Sequence, residues 1–467
     1  MIGSVAPHWM EAGEAARGFA EGRFSPTELM AALLERIARL DPALGVFVHL
    51  DAERAMEAAR GAETAIAAGR IRGKLRGVPV AVKDMIDVGG MPTTCQSRLL
   101  AGAIAPVDAA CVAKLRQAGA IILGKVATHE FALGGAGPDL PFPPARNPWH
   151  PDHTPGGSSS GSGAGLAAGL FPLALGTDSG GSARHPAGAC GVVGLKPTYG
   201  LISRRGVFPL AFTLDHVGPM ARSVADAALL LECLAGPDPQ DPGSATPPRA
   251  APGAGLEAGV RGLRIGFVRH FHETDMPADP EVASGLESVA RALAADGAEL
   301  VPVSLPPLGE FSAVNRIIMA GEAWAVHAPW LRTRPGEYGR IARQRLMSGA
   351  FLAAGDYIDA QRRRSLLIAA VETALREVDV LLCASSMDPP PRLDDAALLA
   401  RADARQSRTP FNVTGHPALA MASGLSRAGL PLSVQFAGRY FDEATVLRTA
   451  RTWERAGETR SLHPPLA

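Results

Sequence analysis

Gly77-Val78-Pro79-Val80-Ala81-Val82-Lys83-Asp84 is the stretch from which the fold can be read. A short β-branched run of this kind enters a sheet, and it ends near Lys83. Ala109 to Ala118 reads as a helix and Ala120-Ile121-Ile122-Leu123 as a second buried strand. Residues 134–163, dense in Gly, Pro and Ser, form a loop, and a helix begins near Ser162. The apolar run Phe171 to Leu175 leads into a second Gly-rich loop, Gly176 to Ser182. Strands alternating with helices predict an α/β sheet covered on both faces.

Outward from this core, Phe24-Ser25-Pro26-Thr27-Glu28-Leu29 is a helix start. Ser25 can cap, Pro26 suits the first helical position, and Glu28 completes a capping box. Leu29, Leu33, Ile37 and Leu40 then recur at helical spacing until Asp41-Pro42 stops the helix. A second helix spans about 52–68. Beyond the core, residues 236–262 are rich in Pro, Gly and Ala without periodicity and read as an exposed linker. Leu263 to Val268 restarts the strand–helix pattern, and about 313–375 reads as a helical cap. Val378 to Leu382 and Leu432 to Phe436 are further strands. The expected organisation is one domain over 1–467: helices to 70, a catalytic core over 71–235, the linker, and a second half over 263–467.

The 467 residues carry 46 Lys plus Arg against 46 Asp plus Glu, and 47% of them are hydrophobic. No basic excess marks a nucleic-acid or anionic-membrane binder, and Arg362-Arg363-Arg364 reads as a solvated helix face. Cys95, Cys111, Cys190, Cys233 and Cys383 show no CxxC spacing, which suits free thiols in a reducing cytoplasm. The opening Met1-Ile2-Gly3-Ser4 leads into no basic-then-apolar signal pattern, so no signal peptide is expected. The longest apolar stretch, Gly163 to Gly176, is broken by Pro172 and too short to span a bilayer.

Two Gly/Ser clusters carry the chemistry: Pro155 to Gly163, and Gly176-Thr177-Asp178-Ser179-Gly180-Gly181-Ser182-Ala183-Arg184. Glycines let backbone N–H groups converge on a phosphate or an oxyanion. Gly119 to Lys125 fits a phosphate-binding loop only superficially, because Val126 stands where Ser or Thr is required. A hydrolase needs a nucleophile and a base. His129, His185, His216 and His416 are available, but nothing ties one to a serine, and each reads more readily as structural. The pairs His150/His153 and His270/His272 lack a third metal ligand. Lysine is the other available base, since desolvation lowers its pKa; Lys83 closes the apolar strand Val80-Ala81-Val82, although a lysine at a strand end is more often a surface charge.

With these residues in hand, the chain resembles the amidase signature family. The resemblance rests on Gly77–Asp84, Pro155–Gly163 and Gly176–Arg184 in that order, and weaker agreement runs from about Ser25 to Glu454. It implies an α/β/α sandwich around a large mixed, mostly parallel sheet, in a monomer or homodimer. It implies Ser182 as the acylated nucleophile, Ser158 after a cis peptide bond as the bridge, and Lys83 as the base. It further implies backbone N–H groups of Ser179, Gly180, Gly181 and Ser182 as the oxyanion hole, with Asp178, Arg184 and Ser159 supporting the loop. Neither metal nor organic cofactor is implied.

The expected function is therefore a serine amidase, with small apolar or aryl amides, and also esters and carbamates (urethanes), as substrates. The apolar segment 313–360, with Met319, Trp324, Trp330, Phe351 and Leu352, is the expected pocket. The alternative is the glutaminase subunit of an aminoacyl-tRNA amidotransferase, which Thr93-Thr94-Cys95 resembles. Thr409-Pro410-Phe411-Asn412-Val413-Thr414-Gly415-His416-Pro417 departs from that branch towards the free-standing amidases. A catalytically dead binding protein would lack one of Lys83, Ser158 and Ser182, and a thiol enzyme would need a basic partner for Cys95.

Overall fold

In a computed structural model of the chain, residues 6–70, 73–135, 139–247 and 252–466 are described. The Met1–Ser4 opening lies outside them, as do 136–138 of the 134–163 loop and 248–251 of the 236–262 segment. Eleven strands make one sheet among the described residues. They are β1 (Phe47–Leu50), β2 (Pro79–Lys83), β3 (Ile121–Val126), β4 (Leu173–Asp178), β5 (Val193–Lys196), β6 (His216–Ala221), β7 (Arg264–Phe267), β8 (Glu299–Pro302), β9 (Val380–Ala384), β10 (Ala418–Leu425) and β11 (Pro431–Gly438).

Their order is β1-β3-β2-β4-β6-β5-β10-β11-β9-β7-β8. The sheet is mixed, as expected, but the expectation that it is mostly parallel is corrected. Only β2–β3, β2–β4, β7–β8 and β7–β9 run parallel. The remaining neighbours are antiparallel, because β6 runs back between β4 and β5 and because β10 and β11 form a hairpin.

The two-residue period of each strand sorts its side chains between two cores. Val80, Val82, Ile122, Leu173 and Leu175 enter one; Ala81, Ile121, Leu123 and Ala174 enter the other. Strands buried on both faces read as continuous apolar runs, which is the pattern of Val80-Ala81-Val82. Each large aliphatic side chain so buried contributes roughly 1.5–3 kcal/mol. A polar residue in such a strand is costly, and β2 ends on one: Lys83, fully buried.

The helix Pro26–Leu44 begins as its sequence dictates. Ser25 Oγ accepts from Glu28 N (3.1 Å), and Glu28 Oε2 accepts from Ser25 N (2.7 Å). It does not stop at Pro42, which sits within the last turn. Asp41 instead organises the exit, its carboxylate accepting from Val46 N (2.6 Å), while Gly45 takes the left-handed conformation (φ 61°) that ends the helix.

The expected cap is helical: Leu308–Thr333, Arg340–Met347 and Ala354–Glu377. No helix among the described residues is long and apolar enough to cross a membrane. The exposed-linker reading of 236–262 is corrected in part. Asp238 and Asp241 dock onto Arg205 and Arg204 at 3.0 Å each, and Asp241 is buried.

Candidate active site

β2 and β4 are parallel neighbours, so their carboxyl ends lie side by side, and loops beyond such ends are where α/β sheets hold ligands. β2 delivers Lys83 there; β4 delivers Thr177 and Asp178 and leads directly into Ser179–Ser182. Lys83 Nζ donates to Ser158 Oγ and to Thr177 Oγ1, each at 2.7 Å. Burial pulls the amine down to about 7, although Asp178 and Asp215 act in the opposite direction.

Ser158 follows a cis peptide bond from Gly157. Two of the four histidines set aside in the sequence flank this bond. His185 Nδ1 accepts from Gly157 N (3.3 Å), and a Cβ on Gly157 would stand 2.0 Å from His129 Cε1. Burial lowers both histidines, leaving them neutral near pH 7. No local spacing announces either contact, since His185 stands 28 residues from the glycine it supports.

The two Gly/Ser clusters are stitched together. Ser159 N donates to Ser182 O (3.1 Å), and Ser159 Oγ both donates to Thr177 O and accepts from Thr177 N (3.2 Å each). Ser182 itself is partly exposed, and its Oγ makes no hydrogen bond among the described residues. The Lys83–Ser158 link is thus closed and the Ser158–Ser182 link open.

Asp178 and Arg184 form a fully buried, two-pronged pair, with Nη2–Oδ1 at 2.9 Å and Nε–Oδ2 at 3.0 Å. Burial alone would raise Asp178, but Arg184 and the amide of Asn412 hold it far below the usual carboxylate range. Arg184 also donates to Arg408 O (2.9 Å), Gln435 Oε1 (2.5 Å) and Asn412 Oδ1 (2.6 Å), so the C-terminal part of the chain grips the loop.

One oxyanion assignment needs correction. Gly181 N donates to Asp178 Oδ1 (2.8 Å), so this N–H faces the supporting carboxylate rather than a substrate. The N–H groups of Ser179, Gly180 and Ser182 meet no protein acceptor among the described residues. Gly181 is still required as glycine: its φ is 116°, and a Cβ would stand 2.5 Å from Arg408 Nε.

Two partners of this loop had no sequence signal. Asn315 Nδ2 donates to Ser179 O (3.2 Å), and Ser179 Oγ donates to Asp215 Oδ1 (2.5 Å). Beside them opens a cleft of about 490 Å³, reached by Thr177 and Ser179 and walled by Met85, Val207, Phe208 and Phe212. The 313–360 segment backs this cleft instead of lining it. Trp330 stacks behind Phe208 (ring centroids 6.2 Å apart), and Phe351 is 83% exposed.

Cys95 is buried, and burial pushes its thiol well above the ordinary range, as suits a packed side chain. Elsewhere, His272, Glu273 and Glu287 bring ligand atoms within 4.8 Å of one another, the third group that the sequence did not place beside His272. Arg269 already donates to Glu287 (3.0 Å) and Glu273 (3.4 Å), so a guanidinium meets that charge.

The family described as Amidase matches residues 28–447. A glutamyl-tRNA(Gln) amidotransferase subunit from Anaeromyxobacter sp. (strain K) is 40% identical over 475 residues, covering 95% of each chain. The native peptide amidase from Stenotrophomonas maltophilia has a TM-score of 0.85 at 31% identity, covering 98% of each chain. A bacterial aryl acylamidase of the amidase signature enzymes has a TM-score of 0.89 at 25% identity, over 98% of this chain and 99% of that one. With a family match of this extent and relatives similar from end to end, the chain belongs to the amidase signature family of amide hydrolases.

Proposed function

We propose that the chain is a stand-alone serine amidase acting through a Ser182 acyl-enzyme, with Ser158 and Lys83 carrying the proton. The observation that supports this most is the buried 2.7 Å contact between Lys83 Nζ and Ser158 Oγ, with the amine lowered to about 7. As Ser182 Oγ attacks the carbonyl carbon, its proton passes to Ser158, whose own proton passes to neutral Lys83. The carbonyl oxygen, now negative, is met by the N–H groups of Ser179, Gly180 and Ser182. The relay then returns the proton to the departing nitrogen as the C–N bond breaks, so no amide anion is expelled. Water repeats the cycle on the ester and releases the acid.

The substrates of this reading are small apolar or aryl amides. Esters and carbamates place the same carbonyl before the same relay and are further substrates. The apolar cleft beside Thr177 and Ser179 favours it. The cysteines, all free, suit a cytoplasmic setting. No metal, cofactor or nucleic acid enters the scheme, and monomer and homodimer serve it equally.

A second reading, the glutaminase subunit of an aminoacyl-tRNA amidotransferase, is favoured by the sequence comparisons. Relatives named for that enzyme are 36–40% identical over nearly the whole chain. Turnover of a nitroanilide, a primary aryl amide, an aryl carbamate and glutamine, with wild type and Ser182→Ala, separates the two. Ser182-dependent hydrolysis of the aryl substrates by the isolated chain supports the first. Glutamine turnover alone, and only with partner subunits, overturns it for the second.

A further inference from the structure

We propose that the cleft between residues 204–215 and 238–243 is the subsite for an uncharged apolar group of the substrate, an aryl ring or short alkyl chain. The inference rests on the hydrolase reading above and adds where the substrate's bulk lies. About 490 Å³ is within the range of small-molecule sites. The inner end touches Thr177, which holds Lys83, and Ser179, whose N–H meets no protein acceptor among the described residues. A group seated here lies against the strand end and loop that lead to Ser182.

The wall chemistry selects the ligand. Met85, Val207, Phe208 and Leu210 supply apolar surface, and Phe212 stands 55% exposed at the mouth. Phe208 is held from behind by Phe131, with ring centroids 5.0 Å apart. The charged groups at the cleft already have hydrogen-bond partners. Arg204 grips Asp241 through Nε (3.3 Å) and Nη2 (3.0 Å), and lies 4.7 Å over the Tyr199 ring. Arg205 pairs with Asp238 (3.0 Å). Asp215 accepts from Ser179 Oγ, Leu210 N and Ala211 N. A ligand charge seated against Arg204 and Asp241 would compete with a largely buried pair, and removing a partner from a buried charge is costly. An apolar ring displaces only water.

The test compares kcat/KM for four amides: acetamide, acetanilide, benzamide and benzanilide. Wild type is set against Ser182→Ala, Phe212→Ala and Phe212→Asp. Phe212 binds Tyr199 and Arg204 through its backbone carbonyl, so these substitutions leave that anchor in place. The ratio of ring-bearing substrate to acetamide should fall about tenfold in Phe212→Asp and less in Phe212→Ala. A fall that follows benzoyl assigns the cleft to the acyl group; one that follows anilide assigns it to the amine. An unchanged ratio overturns the subsite and leaves the hydrolase reading standing. Absence of Ser182-dependent turnover on all four overturns both.

Discussion

Lys83 and Asp84 are neighbours in the chain, yet their charges are kept apart. Lys83 Nζ lies between two hydroxyls, Ser158 and Thr177. Asp84 turns the other way, its Oδ1 3.2 Å from Lys125 Nζ in a fully buried pair, and accepts from Thr94 N (3.1 Å) and Gln96 N (3.4 Å). One lysine is given a close counter-ion; the other is not, and burial makes it a base. The catalytic proposal depends on this division.

The first prediction concerns pH. A lysine lowered to about 7 is protonated, and inactive as a base, below that value. Thus kcat/KM should rise about tenfold per pH unit up to pH 7 and level off above it. A profile flat from pH 5 to 8 contradicts Lys83 as the base.

Removing Lys125 should destabilise the fold. Lys125→Met leaves the Asp84 carboxylate buried without its cation, which costs about 3–5 kcal/mol. Denaturant unfolding measures it, and a loss under about 1 kcal/mol would contradict the pairing.

Gly157 has no room for a side chain. In Gly157→Ala the new Cβ meets His129, so either that ring or Ser158 must move. A displacement near 1 Å lowers kcat/KM about 100-fold. Adding His129→Ala to this variant should recover about tenfold of the loss. Wild-type activity in Gly157→Ala alone would show that the contact is relieved without disturbing Ser158.

What could be read from the sequence follows from how local its causes are. Lys83 at a strand end, the Ser25 cap and both Gly/Ser clusters are each encoded within about ten residues, and the structure has them in place. The grip on Arg184 by Arg408, Asn412 and Gln435 joins residues more than 220 apart, and no spacing announces it. Asp215 and Asn315 meet Ser179 from 36 and 136 residues away, again without a local signal. Asp238 and Asp241 sit in a Pro/Gly-rich stretch whose composition suggests exposure. Their partners, Arg204 and Arg205, decide otherwise. Gly181 carried the glycine signal of an oxyanion loop, but which N–H faces inward depends on Asp178.

The most direct test of the relay is to quench a reaction with an activated aryl ester within the first turnover and locate the acyl group by peptide mass mapping. The account predicts a single acyl mass on the peptide carrying Ser182, absent from Ser182→Ala and formed about 10²–10⁴-fold more slowly in Lys83→Met. An acyl group on any other residue, or formation at the wild-type rate in Lys83→Met, would contradict it.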